Sequence, residues 1–193
     1  MKVIAVANQK GGVGKTTTSV NLSAALAAME KRVLLIDLDP QGNATVSVGL
    51  EKGDLAATAF ELLVDQRPLS EVATPLESLG MDCVPADGDL TAAEVALLSL
   101  EDREQRLKTA LRAGEFLYDF VIIDCPPSLN MLTLNALVAA DTVLITMQCE
   151  YFALEGLSAL METINTITQT VNPALRIEGI LRTLYDPRNA LTN

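Results

Sequence analysis

Histidine is absent from the 193 residues of this chain, and cysteine occurs only three times. The missing histidine removes the commonest general base and the commonest metal ligand, so carboxylates, lysines and a bound ion must do any chemistry. Cys83, Cys125 and Cys149 lie far apart, in or beside apolar strand-like runs, and form no C-x-x-C pair. They are therefore expected to be buried thiols rather than a metal or redox site.

Long apolar runs are also missing. No stretch approaches the roughly 20 apolar residues of a membrane span, and the apolar start is too short for a signal-peptide core. The formal charge of −11 argues against a surface coated in positive charge for nucleic acid, while a local basic patch stays open. The length and the 49% apolar content predict one domain over residues 1–193, and the missing apolar runs predict a cytoplasmic protein without a membrane partner.

Strand and helix patterns alternate along the chain. Near-continuous apolar runs predict buried strands, and an alanine- and leucine-rich stretch at 16–29 predicts a helix after the first of them. Strands that are apolar on both faces and separated by helices indicate an α/β fold of three layers, a mostly parallel sheet covered by helices on both faces. The expected strands are 2–7, 32–38, 81–84, 120–123, 142–147 and 177–184.

Several helix signals lie between these strands. Two capping boxes, Thr58-x-x-Glu61 and Thr91-x-x-Glu94, predict helix starts, and Ser128 is a plausible cap for a helix that ends near 140. Residues 100–113 carry charges on one face and leucines on another, as a surface helix does. A core-facing helical stripe is expected from Leu154, Leu157, Met161, Ile164 and Ile167.

A glycine-rich segment, NQKGGVGKTTT at 8–18, follows the first strand directly and precedes the first helix. Gly14 and Lys15 fit the end of the P-loop pattern G-x-x-x-x-G-K-[ST], although Gln9 replaces its first glycine and Lys10 adds a second lysine. Glycines let backbone N–H groups curl around an anion at a helix N-terminus. Lys15 can then reach the β and γ phosphates of a nucleotide, and the Thr16 hydroxyl can bind Mg²⁺.

Acidic residues end two of the other apolar strands. Asp124 follows the strand 120–123, as a Walker B aspartate does, and would hold Mg²⁺ directly or through water. Asp37 and Asp39 end the second strand at the same carboxyl edge, where open α/β sheets bind ligands. One of this pair is free to orient a water for attack on the γ-phosphate. Each aspartate alone could be an ordinary helix cap.

With these residues the chain resembles the ParA/MinD class of ATPases. KGGVGKT at 10–16 is similar to the deviant Walker A motif of that class. LLIDLDPQGNAT at 34–45, VIIDCPPS at 121–128 and QCEYFALEGL at 148–157 resemble the ParA/Soj partition branch in particular. The resemblance covers essentially the whole chain and implies a P-loop NTPase fold, ATP and Mg²⁺ as cofactors, and weak intrinsic ATP hydrolysis.

The resemblance also implies a role for each matching residue. Lys10 is the signature lysine that reaches the phosphates of the partner subunit, Lys15 is the P-loop lysine, and Asp39 positions the attacking water. Thr16 binds Mg²⁺, Asp37 lies in its outer shell, and Asp124 is the Walker B residue. The implied nucleotide-binding segment is Lys10, Gly11, Gly12, Val13, Gly14, Lys15, Thr16 and Thr17. A second cation on the transferring phosphoryl group stabilises charge as an arginine finger does.

Partners follow from the same resemblance. ATP would promote a sandwich homodimer that binds DNA non-specifically and associates with the nucleoid, and a ParB-type protein would stimulate hydrolysis. Arg188, in YDPRN at 185–189, matches a DNA-contacting position. Members of the family continue beyond the position of Asn193, with another strand, part of the adenine pocket, further DNA-contacting arginines and a closing helix. The sequence is therefore expected to lack the usual C-terminal part, and with it some adenine and DNA affinity.

Three other functions stay open. A MinD-like membrane-cycling ATPase shares the P-loop, although the DLDPQGN loop favours the partition branch. An iron–sulfur carrier needs cysteines that ligate a cluster across a dimer, and Cys125 beside Asp124 is a poor candidate. The last alternative is a truncated module that binds nucleotide without a working cycle.

Overall fold

The computed structural model describes residues 1–113, 118–148, 153–185 and 188. Seven strands in this part of the chain form one sheet. They are β1 (Lys2–Ala7), β2 (Val33–Asp37), β3 (Thr74–Leu76), β4 (Met81–Val84), β5 (Phe120–Asp124), β6 (Thr142–Gln148) and β7 (Arg176–Thr183). Their order is β3-β4-β2-β5-β1-β6-β7, and β3 alone among these seven runs antiparallel to its neighbour. The predicted mostly parallel sheet is confirmed.

Helices connect the strands. They are α1 (Lys15–Ala28), α2 (Asn43–Ser47), α3 (Leu69–Val72), α4 (Leu90–Leu98), α5 (Arg106–Arg112), α6 (Met131–Ala139) and α7 (Ala153–Gln169). A 3-10 turn at Lys52–Asp54 and a π-helical segment at Glu61–Asp65 complete the described helical structure. Of the helices in the described ranges, none is both long enough and apolar enough to cross a membrane.

The core lies on both faces of the sheet because successive side chains of a strand point in opposite directions. In β1, Val3, Ala5 and Ala7 belong to one apolar cluster, and Ile4 and Val6 belong to the other. The first cluster includes residues of α4, α5, α6 and α7, and the second includes residues of α1 and α2. The three-layer arrangement expected from the doubly apolar strands is therefore confirmed.

The two predicted capping boxes have different outcomes. At Thr58, the N–H and the hydroxyl donate to Glu61 at 2.7 and 2.9 Å, and the helical turn begins at the next residue. Near Thr91 a helix does start, as predicted, but α4 begins at Leu90, so Thr91 lies inside its first turn and is not its cap. The Glu94 carboxylate instead accepts a hydrogen bond from Asn130, 36 residues further along the chain.

The helices on either side of β5 are shorter than predicted. Residues 101–105 form turns, since Asp102 has a φ of +56° that interrupts the helix expected over 100–113, and α5 begins at Arg106. Ser128 does not cap α6. The Asn130 side chain caps it by accepting from the Thr133 N–H at 3.1 Å, while the Ser128 carbonyl accepts from the Thr133 hydroxyl.

The expected stripe on α7 faces the core in part. Ile164 and Ile167 are buried and Leu157 packs against the core, whereas Met161 is 40% exposed and does not belong to the stripe. The Leu154 side chain and Cys149 lie outside the described residues, as does part of the 148–157 motif. Cys83 and Cys125 are buried free thiols, as predicted.

Candidate nucleotide site

The glycine-rich loop joins the carboxyl end of β1 to the first residue of α1. Gly12 and Gly14 have φ of +73° and +81°, in the left-handed region that residues with a Cβ rarely adopt. Gly14 directly precedes α1 and has no side chain with which to cap it, so the first N–H groups of the helix are left for an anion. The loop has the backbone geometry of a phosphate cradle.

The end of β7 supports this loop. The Thr183 hydroxyl donates to the Val13 carbonyl oxygen at 2.8 Å, and Val13 itself is buried. A Cβ on Gly14 would lie 3.3 Å from the Thr183 methyl carbon, closer than ordinary van der Waals contact. Gly14 is therefore required both by its left-handed backbone and by the approach of β7.

Lys15 is turned inward at the start of α1. Its side chain is buried, and its Nζ donates to the Lys10 carbonyl oxygen at 2.9 Å. Burial lowers the pKa of Lys15, and attraction to Asp124, Cys125 and Asp39 opposes that effect. The lysine thus lies among the carboxylates at this sheet edge, with its amino group inside the loop.

Lys10 is held through its backbone. Its N–H donates at 2.9 Å to Oδ1 of Asn8, a buried residue whose Nδ2 donates to the Thr146 carbonyl of β6 at 2.5 Å. The amide of Asn8 therefore fixes the entry to the loop against the neighbouring strand. Since the Lys10 carbonyl is the acceptor for Lys15, the two lysines are joined through the backbone of the first.

Asp124 lies at the end of β5, fully buried. The Ser19 hydroxyl of α1 donates to its Oδ1 at 2.9 Å, and its Oδ2 has no hydrogen-bond partner among the described residues. Burial and the nearby charge of Asp37 raise the pKa of Asp124 to about 7, against smaller opposing effects of the Thr16 and Ser19 hydroxyls. A buried carboxylate oxygen without a partner is costly, and a bound cation would satisfy it.

Asp37 lies directly opposite Asp124 in the β2/β5 register. Its Oδ1 accepts from the Asp39 N–H at 3.1 Å, and its Oδ2 accepts from both the N–H and the hydroxyl of Thr45 at 2.8 Å. Burial raises the pKa of Asp37 to about 6, although the bonds from Thr45 and Asp39 act in the opposite direction. Both oxygens of this carboxylate already have protein donors.

A cavity of about 750 Å³ opens beside the loop, at the carboxyl edge of the sheet. Asp39, only 8% exposed, reaches this cavity while its Oδ1 accepts from the Gln41 N–H at 2.9 Å. The lining residues are Gly11, Gly12, Gly14, Lys15, Thr16, Thr17, Thr18, Asp39, Gln41, Asn43, Ser47, Pro127, Thr183 and Leu184. Most of the residues predicted for the site therefore meet here.

The remaining predicted residues do not line the cavity. Lys10, Val13 and Asp37 hydrogen-bond to residues that do, and Asp124 lies close to the Thr16 hydroxyl. Arg188 is exposed and also lies outside the cavity lining.

The donor set at this edge fits magnesium with a bound phosphate better than a metal held by protein alone. Within the described ranges, no group of three or more aspartate, glutamate, cysteine or histidine side chains could hold a metal ion. Mg²⁺ commonly takes one or two protein ligands and completes its shell with phosphates and water. The Thr16 hydroxyl and the unpartnered Oδ2 of Asp124 are of this kind.

Sequence reasoning missed several supporting residues. Ser19 lies one helical turn after Lys15, so its position on the face toward Asp124 could have been inferred from helical spacing. Thr183 contacts Val13 across 170 residues, and Thr45 reaches Ala86 across 41. Neither contact has a signal in the local sequence.

Comparison with known proteins agrees with this geometry. The sequence model of a family described as AAA domain matches residues 1–177. The sporulation initiation inhibitor protein Soj of Bacillus subtilis is 53% identical over 192 residues, covering 98% of this chain and 75% of that protein. The chromosome partitioning protein ParA of Caulobacter vibrioides is 48% identical over 194 residues, covering 100% and 73%. The chain belongs to the ParA/Soj family of P-loop ATPases.

Solved structures are also similar to this chain. Cobyrinic acid a,c-diamide synthase from Mycobacterium smegmatis with bound ADP and magnesium is 45% identical, with a TM-score of 0.94 over 100% of this chain and 78% of that one. A plasmid partition protein from Borrelia burgdorferi is 27% identical, with a TM-score of 0.86 over 99% and 81%. The two names differ, yet both proteins share one superfamily and one α/β architecture with this chain.

Proposed function

We propose that this chain is a ParA/Soj-type ATPase for chromosome or plasmid partition, which binds ATP with Mg²⁺ beside the glycine-rich loop and hydrolyses it slowly. The observation that carries the proposal is the buried, unpartnered Oδ2 of Asp124, next to Thr16 at the foot of a loop with two left-handed glycines. This arrangement has an anion cradle and a cation ligand side by side. Relatives named as partition proteins supply the biological context.

The residues at this edge would divide the work of hydrolysis. Lys15 would exchange the Lys10 carbonyl for phosphate oxygens, while the N–H groups of residues 11–17 hold the phosphates. Thr16 and Asp124 would hold Mg²⁺, with Asp37 in its outer shell; bound Mg²⁺ supplies positive charge that neutralises the phosphates. Asp39 would orient the water whose oxygen bonds to the γ-phosphorus as the bond to ADP breaks.

Dimerisation would supply a second cation. Lys15 already occupies the inside of its own loop, and the Lys10 backbone is anchored to Asn8 at the loop entry. The side chain of Lys10 would then serve the phosphates bound by a partner subunit, where it stabilises developing charge as an arginine finger does. A sandwich homodimer that forms with ATP is the consequence.

The hydrolysis proposal is tested by Lys15→Ala. Removing the cation from the loop should lower ATP turnover by roughly 100-fold or more, because charge stabilisation of the phosphoryl group is lost. Lys31→Ala is the matched control, since Lys31 is an exposed lysine just beyond α1. Phosphate release with Mg²⁺ present gives the rates; wild-type turnover in Lys15→Ala, or no ATP binding by the wild type, would overturn the proposal.

The dimer proposal is tested in an Asp39→Ala background, where blocked hydrolysis should trap the ATP-bound dimer. Gel filtration with ATP should show dimer for Asp39→Ala and for Asp39→Ala with Lys31→Ala, but monomer for Asp39→Ala with Lys10→Ala. Fluorescent nucleotide binding should be retained by all three proteins. A Lys10 variant that dimerises as well as its control would remove the proposed role of Lys10.

We expect the ATP-bound dimer to bind non-specific DNA with the salt dependence of phosphate contacts, to associate with the nucleoid, and to hydrolyse ATP faster with a ParB-type protein. Arg188→Glu should weaken DNA binding without altering nucleotide binding. Fluorescence anisotropy at two salt concentrations measures DNA binding and its salt dependence. Equal DNA binding with and without ATP would contradict the proposal that ATP controls it.

A further inference from the structure

Thr45 lies in α2 and is fully buried, although it does not line the nucleotide cavity. Its N–H and its hydroxyl each donate to Asp37 Oδ2 at 2.8 Å. The same hydroxyl oxygen accepts from the Ala86 N–H at 2.8 Å, just beyond the end of β4. One small side chain therefore joins the end of β2, the helix α2 and the segment after β4.

The other oxygen of Asp37 holds the backbone of Asp39. Asp37 Oδ1 accepts from the Asp39 N–H at 3.1 Å, and the Asp39 carbonyl accepts from the Gly42 N–H at 2.8 Å. The Asp39 carboxylate in turn accepts from Gln41. The Asp37 carboxylate is thus a bridge, with Thr45 on one oxygen and Asp39 on the other.

The loop from Asp39 to Thr45 meets Ala86 at a second point. Gly42 has a φ of +56°, and a Cβ at this position would lie 2.5 Å from the Ala86 carbonyl oxygen. The backbone of Gly42 therefore packs directly on the same residue whose N–H binds Thr45. The contacts of Thr45 and Gly42 with Ala86 therefore hold the loop at 39–45 against the segment after β4.

We propose that Thr45 is a positioning residue that places Asp39 for attack by water on the γ-phosphate, acting through Asp37. The inference rests on the proposed function, in which Asp39 orients the attacking water. Loss of the Thr45 hydroxyl removes one of the two donors to Asp37 Oδ2 and also the link to Ala86, so the Asp39 loop can shift. The phosphate cradle at residues 11–17 contains none of these contacts and keeps its affinity for nucleotide.

The test compares three variants of the full chain. Thr45→Val keeps the shape of the side chain without its hydroxyl, and we expect kcat to fall roughly tenfold or more while the Kd for a non-hydrolysable ATP analogue changes less than about threefold. Thr45→Ser keeps the hydroxyl and should retain kcat within about threefold. Thr58→Val is the control, because it removes another buried, bonded hydroxyl that lies in the capping box of the turn at 59–65.

A purely structural role for Thr45 predicts a different pattern. In that case Thr45→Val and Thr58→Val would both lower the Tm and leave kcat near the wild-type value, which would overturn the inference. If Thr45→Val does not fold, Thr45→Ala removes the same hydroxyl and leaves room for a water at the Ala86 N–H. A folded Thr45→Ala protein with wild-type kcat would overturn the inference equally.

A double-mutant comparison separates this inference from the proposed function. In an Asp39→Ala background, Thr45→Val should lower the residual ATP turnover no further, since its effect passes through Asp39. If Asp39→Ala itself hydrolyses ATP like the wild type, the proposed role of Asp39 fails. If Asp39→Ala is inactive but Thr45→Val is fully active, only the role of Thr45 fails.

Discussion

Asp37 and Asp124 end neighbouring strands, face each other in the sheet register and are both fully buried. Their hydrogen bonds nevertheless differ. Three donors from Thr45 and Asp39 occupy both oxygens of Asp37, whereas one oxygen of Asp124 has no partner among the described residues. Two aspartates at equivalent strand ends thus differ: both oxygens of Asp37 are bonded within the protein, and one oxygen of Asp124 is not bonded to any described residue.

This difference follows from what lies above each strand end. The chain after β2 bends back and enters α2, which brings Thr45 next to Asp37. The residues that follow the strand therefore supply the hydrogen-bond donors of Asp37. The chain after β5 continues through two prolines, which have no N–H to donate, and α1 supplies the Ser19 hydroxyl instead. The loop after β2 therefore satisfies Asp37 locally, whereas the partners of Asp124 depend on a helix from a distant part of the chain.

The largest expected effect is that of Asp124→Asn. We expect ATP hydrolysis to fall roughly 100-fold and the Mg²⁺ concentration for half-maximal rate to rise about tenfold, because a neutral amide is a poor ligand for a hard cation. Initial rates over a magnesium titration measure both quantities. Asp82→Asn on β4 is the control, since Asp82 is bonded to Tyr118 away from the site. An unchanged magnesium requirement in Asp124→Asn would remove the distinction between the two aspartates.

A smaller effect is expected for Asp37→Asn. An amide offers one acceptor where Asp37 uses two oxygens, so an N–H loses its partner and the free energy of unfolding should fall by about 1–3 kcal/mol. Hydrolysis should fall roughly tenfold as the Asp39 loop loosens, while the magnesium requirement changes less than about threefold. Urea unfolding and the same titration test this; a requirement raised as strongly as in Asp124→Asn would place Asp37 in direct contact with the metal.

The smallest effect concerns pH in the absence of Mg²⁺ and nucleotide. Burial raises the pKa of Asp124 from 3.8 to about 7, so the folded chain holds a proton between these values that the unfolded chain has released. The associated stability is complete below about pH 4 and is lost as the pH rises through 7. Between about pH 5 and 8, the wild type should therefore lose about 1–3 kcal/mol more stability than Asp124→Asn, which cannot titrate there. Equal losses in urea unfolding would contradict the raised pKa.

The two capping-box motifs show when a local sequence pattern predicts local structure. Thr58-x-x-Glu61 forms its capping box because both partners lie within one turn and meet without help from elsewhere. Thr91-x-x-Glu94 has the same residue types at the same spacing, yet the Glu94 carboxylate accepts a hydrogen bond from Asn130, and α4 begins before Thr91. A local motif is realised only where no distant partner competes for its side chains.

In the nucleotide site, too, some residues could be predicted from the sequence and others could not. The loop glycines, Lys15 and Thr16 could be predicted because a strand, a glycine-rich turn and a helix follow one another, and Asp39 because it follows a second strand at the same sheet edge. Thr45 and Thr183 could not, because their partners Ala86 and Val13 come near only when β4 and β7 take their places in the sheet.

The amino-acid sequence by itself determined the three-layer α/β fold, the phosphate-binding loop and the acidic edge of the sheet, since these depend on apolar periodicity and on residues close together in the chain. Only the tertiary structure decided that Ser19 of α1 donates to one oxygen of Asp124 while the other oxygen is buried without a partner among the described residues. The physical reason is that hydrogen-bond satisfaction of a buried carboxylate depends on which segments the strand order brings around it.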